Sequence, residues 1–213
     1  MIFPTSGLSS ILSLSAGPCR TAQEGGRTHV CGDQSMKPFL LAIYALLLFE
    51  PLGCEKAADI SSPIKYEKEN VSFSYPQNWK VTEDVRQQDL HYIFVESPGD
   101  AIFIIQIYSK NGAVSFNEFV EWFSSQSKAE IPVGKMEESI FSTVEKGNIA
   151  TGMKGIKENF SITLVGEKVP HTREYYTVDS DNEIAFLVTQ TATEDMRKTE
   201  SGFDLILSSF VIE

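Results

Sequence analysis

The sequence is poor in cysteine, in histidine, in positive charge and in long apolar runs. Three cysteines stand among 213 residues, at positions 19, 31 and 54. That is too few for a disulfide scaffold, and the spacing matches no zinc site. Eighteen Lys and Arg face 29 Asp and Glu, a net charge of −11. This excludes a sequence-independent nucleic-acid binder, which must neutralise phosphates with basic side chains. The apolar run Pro38–Phe49 is 12 residues long, against roughly 20 for a spanning helix. The chain also lacks His-Glu-x-x-His, a Walker loop and Gly-x-Ser-x-Gly, so the sequence predicts no enzyme and no cofactor.

What is present divides the chain. Residues 1–35 are rich in Ser, Gly and Thr and show no sustained apolar period. They are read as a misassigned or disordered extension, with Met36 as the start. Met36-Lys37 and the apolar run then form the positive and hydrophobic parts of a signal peptide, 36–53. Pro51-Leu52-Gly53-Cys54 comes next. A small residue directly before a cysteine at this place resembles the lipobox of bacterial lipoproteins, although Pro51 stands where that motif prefers Leu. The resemblance implies that Cys54 is the lipid-attachment residue and the first of the mature chain. Residues 54–65 read as a polar tether. The leader holds Arg20, Arg27 and Lys37 against Glu24, Asp33 and Glu50, so the whole −11 belongs to residues 54–213.

From residue 66 the patterns are those of a packed domain. Val71–Tyr75 alternates as a half-buried strand, Pro76-Gln77-Asn78 turns, and the chain resumes at Trp79. Leu90–Val95 is a second alternating run. Ala101–Tyr108 is almost continuously apolar, as a strand covered on both faces would be. Ser115 and Glu118 have capping-box spacing, and Val114 and Phe119 form a hydrophobic staple. Phe116, Phe119, Val120 and Phe123 then mark one helical face, ending before Pro132. Beyond 140 the chain reads as an antiparallel meander, with strands at 140–145, 158–165, 169–178 and 183–189. A helix begins at about Thr193, with Met196, Phe203, Ile206, Leu207 and Phe210 on its buried side and Gly202 weakening it. One antiparallel sheet with packed helices is expected, an α+β domain.

Two stretches carry a family resemblance. Phe73, Tyr75-Pro76 and Trp79-Lys80-Val81 resemble the opening of PsbP-like domains, the PsbP, DcrB and Mog-type fold. Thr191-Ala192-Thr193-Glu194 through Leu207-Ser208-Ser209-Phe210 resembles their final helix and close. The resemblance spans 66–213. It implies an α/β/α sandwich around a single mainly antiparallel sheet, with Phe73, Tyr75, Pro76 and Trp79 determining the fold. It supplies no catalytic residue.

Few residues are left as candidate sites. Asp179, Asp181 and Glu183 put three carboxylates on one hairpin turn, a weak metal (Ca2+) candidate lacking the glycine and distal Glu of an EF-hand. His171 and Glu174 stand three apart, a spacing that puts strand residues on opposite faces. The pairs Glu83-Asp84, Glu137-Glu138 and Glu194-Asp195 read as solvated surface. Asn70 and Asn159 head glycosylation sequons. The reading is a non-catalytic, membrane-anchored lipoprotein of the bacterial cell envelope. It would be exported, held to the membrane through its N-terminal lipid, bind a protein partner or serve assembly, and bind no nucleic acid. The alternative is an exported small-ligand or Ca2+-binding protein.

Overall fold

In a computed structural model the described residues are 56–87, 89–99, 101–129, 134–137, 139–146, 153–164 and 166–213. The first hairpin pairs β1 (Ile64–Lys68) with β2 (Val71–Tyr75). Its two-residue turn places Glu69 at φ 53°, a region that disfavours side chains with a Cβ. The last two-residue strand, β11 (Val211–Ile212), returns to pair with β2. These three make a small sheet of order β1-β2-β11.

A second sheet holds the other eight strands: β3 (Lys80–Gln87), β4 (Leu90–Glu96), β5 (Ile102–Ser109), β6 (Lys135–Met136), β7 (Ile140–Lys146), β8 (Met153–Leu164), β9 (Glu167–Asp179) and β10 (Glu183–Ala192). The order is β3-β4-β5-β10-β9-β8-β6, with β7 also on β8, and every pair is antiparallel. The expected single sheet is therefore two. The small one escapes sequence reading because β1 is nearly all exposed and polar, and β11 is two residues long.

The two helices cover opposite faces of the large sheet. On β5, Ile104 packs with α1 (Phe116–Ala129), through Phe119, Val120, Tyr175, Phe186 and Val188. Phe103, Ile105 and Ile107 point the other way, to α2 (Met196–Ser209) and the small sheet, through Phe203, Ile206, Leu207, Val71 and Phe73. This two-sided burial explains the unbroken apolar run of β5. The capping box of α1 is formed: the Ser115 N–H and hydroxyl donate to Glu118 Oε2 at 3.0 and 2.7 Å. Phe119 stacks on Phe186 with centroids 4.2 Å apart, joining helix to sheet.

Gly202 is not a flaw in α2. A Cβ there would come within 2.6 Å of the Trp79 ring and 2.9 Å of Ala58, so the missing side chain is what lets Trp79 close the core. Trp79 in turn meets Phe203 edge-on at 5.2 Å. Gly155 has the same role on β8, where a Cβ would lie 2.6 Å from the Tyr176 ring.

The stretch read as a tether is bonded to the domain over 57–59. The Ala58 N–H donates to Lys198 O at 2.8 Å, and the Gln77 N–H to Asp59 O at 2.9 Å. Asn78 Nδ2 donates to Ala57 O at 2.9 Å, and Asn78 Oδ1 accepts from the Asp59 N–H at 2.8 Å. The polar composition of this strap matches a tether, but its backbone groups find partners in the turn after β2 and the first turn of α2.

Candidate functional site

The strand alternation places three polar groups around the sheet. The first joins the two sheets. Asp84, on β3, accepts from Lys68 Nζ at 2.9 Å and from the Tyr66 hydroxyl at 3.1 Å, both on β1. His91 Nε2 lies 2.9 Å from Asp84 Oδ1. Its Nδ1 lies 3.2 Å from Arg86 Nη2. Arg can only donate, so Nδ1 accepts and Nε2–H donates to Asp84. Both ring nitrogens are thus engaged, and His91 is buried. Burial pushes the Asp84 carboxyl up, but hydrogen bonds from Lys68, His91 and Tyr66 outweigh it and hold it below its ordinary range. The sequence reading put Asp84 on a solvated face; it is the hub of this junction, because Asp84 and Arg86 share the face of His91 that β1 covers.

The second group is buried under α1. Glu158, on β8, is fully buried and Arg173, on β9, nearly so. Arg173 Nη1 donates to Glu158 Oε2 at 3.0 Å. The hydroxyls of Tyr175, Ser124 and Ser139 donate to the same carboxylate at 2.5, 2.6 and 2.5 Å. Four donors fill its acceptor sites. Gln190 Oε1 accepts twice more from Arg173, at 2.9 and 2.6 Å. The guanidinium also lies over the rings of Phe160 and Phe123, at 4.7 and 5.1 Å. Burial raises the Tyr175 hydroxyl well above its usual range.

The third group lines a cavity of about 320 Å3 between α2 and strands β7 to β10. Lys146 Nζ lies 3.1 Å from Asp204 and 3.6 Å from Glu174. Burial opposes its charge, but Glu174 and Asp204 outweigh that and raise its pKa. The Tyr176 hydroxyl donates to Glu174 at 2.7 Å. Thr172, Thr189, Thr191 and Thr199 also line it, as do the charged Glu145, Lys157 and Glu200.

Two carboxylates of the 179–183 turn are engaged with separate partners, and Asp181 is exposed. Asp179 lies 3.9 Å from Lys110. Glu183 accepts from Asn70. Among the described residues no three His, Cys, Asp or Glu gather as a metal site. His171 stacks on Phe160 at 5.5 Å, while Glu174 faces the opposite cavity, as the strand period requires. Cys54 lies outside the described residues, as do Cys19 and Cys31. No described helix is long and apolar enough to cross a membrane.

Sequence reasoning missed the Glu158–Arg173 pair. A signal existed: both charges occupy positions that the alternation assigns to the apolar face, beside Ile156, Phe160 and Tyr175. The register that joins them did not show in the sequence. Also missed was the outer edge of the large sheet. Strand β7 pairs only with β8 among the described residues, and it exposes Ile140 at 70% and Phe141 at 47%.

No family model matches the sequence, and no curated protein matches it significantly. Solved structures do. The chain is similar to a cyanobacterial PsbP from Synechocystis sp. PCC 6803, at 15% identity and TM-score 0.47 over 76% of this chain and 99% of that one. It is also similar to PA94 of Pseudomonas aeruginosa, a protein of unknown function, at 12% identity and TM-score 0.37 over 71% and 97%. A third is LpqN of Mycobacterium tuberculosis, described as involved in cell envelope biogenesis, at 12% identity and TM-score 0.35 over 71% and 89%. A PsbP thus stands among the similar folds, the family that Val71–Val81 and Thr191–Phe210 resemble. At these identities the likeness concerns fold alone, and no residue's role transfers through it.

Proposed function

We propose that the chain is an exported, lipid-anchored cell-envelope protein whose PsbP-like domain, layered as an α/β/α sandwich, binds a protein partner and catalyses no reaction. The open edge of β7 carries the binding part of this reading. An unpaired strand edge offers a row of N–H and C=O groups to an added strand. Ile140 and Phe141 lie exposed at the start of that strand, and its charged residues, Glu145 and Lys146, stand at the other end. The occupant we assign is an extended segment of a partner protein. The anchor rests on the positive start, apolar run and Gly53-Cys54 of the leader. The non-catalytic part is supported by the saturation of Glu158 and His91 by neighbours of their own.

The test uses the full chain in intact cells, with a photo-crosslinker at Ser142. A discrete adduct with one envelope protein, lost in Phe141→Lys, is expected. An adduct of twice the chain's mass would replace the partner by a second copy, and no adduct would overturn the reading. Labelling with a fatty acid, lost in Cys54→Ser, checks the anchor.

A second reading has one observation in its favour. The cavity around Lys146 falls in the size range of small-ligand sites. Under that reading a ligand or Ca2+ raises the melting temperature, since binding the native state alone stabilises it. No shift at millimolar concentration would remove it.

A further inference from the structure

A groove of about 660 Å3 opens at one end of the large sheet. Lys128 from α1, Lys135 from β6, and Lys168 and His171 from β9 line it, together with Glu137. Lys168 pairs with Glu137. Among the described lining residues three lysines stand to one carboxylate, in a chain of net charge −11.

The strap fixes which end this is. Ala192 is opposite His171 in the sheet, so β10 leaves the sheet beside the groove. Thr193 still lines the groove. Five residues later, Lys198 O holds Ala58. At helical rise those five residues cover roughly 8–10 Å. Two residues, Glu55 and Lys56, stand between Cys54 and Ala57, and three residue steps reach at most about 11 Å. A lipid on Cys54 therefore holds this end of the sheet to the bilayer on a very short leash.

We infer that the groove of Lys128, Lys135, Lys168 and His171 faces the bilayer and takes the phosphate of an anionic lipid headgroup. The inference rests on lipid attachment at Cys54. The overall −11 opposes adsorption of the domain from solution, but an anchored domain is not recruited by its net charge. It is oriented by its local charge, and lysines near an anionic surface are attracted within about one Debye length. The orientation leaves the opposite end of the sheet, with the 179–183 turn, directed away from the membrane.

The test compares two hairpin tips of one strand. Glu167 opens β9 at the groove end, and Asp181 lies just past its other end. Thirteen residues of strand span roughly 40 Å. The full chain is expressed in its own membranes with a photo-crosslinker at position 167 or at 181, and fatty-acid labelling is scored in parallel. Lipid adducts from 167 are expected to exceed those from 181 by about tenfold. In Lys128→Glu/Lys135→Glu they should fall by roughly tenfold with the label unchanged. Equal adducts from both tips, or no fall in the double variant, would overturn the inference while leaving lipid attachment standing. Adducts at 167 without a label would sink attachment and, with it, the argument that the leash sets the orientation. Absence of adducts at 167 sinks the inference whatever the label shows.

Discussion

Arg173 and Glu158 meet at 3.0 Å with 3% and 0% of their side chains exposed. Each is the other's only opposite charge in that bonded set, and the rest of the shell is hydroxyl, amide and aromatic ring. Breaking a buried pair by removing one partner costs about 3–5 kcal/mol, because the survivor stays buried and unpaired. Glu158→Leu and Arg173→Leu should each lose about that much in urea denaturation. The double variant should lose less than the sum, since it buries no lone charge.

The junction between the sheets should titrate in acid. The Asp84 carboxyl lies below its ordinary range when folded. A depressed carboxyl stabilises above the unfolded pKa, about 3.9, and that stability is lost as pH falls through the folded value. Asp84→Asn should therefore be less stable than the parent at pH 6–7. The gap should close as the parent is taken below pH ~4 towards its folded value. A gap that persists unchanged to low pH would mean the carboxylate contributes no charge-dependent stability.

Gly202→Ala sets two effects against each other. Alanine in a helix interior is favoured over glycine by about 1 kcal/mol. The new methyl, however, would enter space held by the Trp79 ring and Ala58, and overpacking costs about 1–3 kcal/mol. Trp79 closes the core and cannot yield easily, so net destabilisation is expected. The strap should loosen with it, seen as faster proteolysis before residue 61.

Glu69→Gly should stabilise. Glu69 sits at φ 53°, where glycine is relaxed and other residues are strained by roughly 1 kcal/mol or more. Its ion pair with Arg86, at 2.7 Å, is half exposed and worth little. A rise in the denaturation midpoint of the first hairpin's domain checks this.

How far the sequence reveals this molecule depends on the range of the signal. The capping box at Ser115 and Glu118, the two-sided burial of β5 and the hairpin at 179–183 were legible, because each rests on neighbouring residues. The small sheet was not: it needs Ser72 opposite Val211, 139 positions apart, and no local pattern encodes that. The Glu158–Arg173 pair and the strap failed for the same reason. Their polarity is visible, but their partners are set by register and by a turn docking on a distant helix. The groove lysines were likewise invisible as a group, since they come from α1, β6 and β9.

The closure of the small sheet has a consequence for when the domain can form. Val211 and Ile212 pair with Ser72 and Val71, and the Glu213 N–H donates to Asn70 O at 3.0 Å. The small sheet therefore cannot be completed before residues 211–213 are made. Until then β2 keeps an open edge and the core under α2 lacks Phe210 and Ile212. The large sheet contains none of these residues, so the small sheet is a late-closing element that seals a core already laid down by the earlier strands.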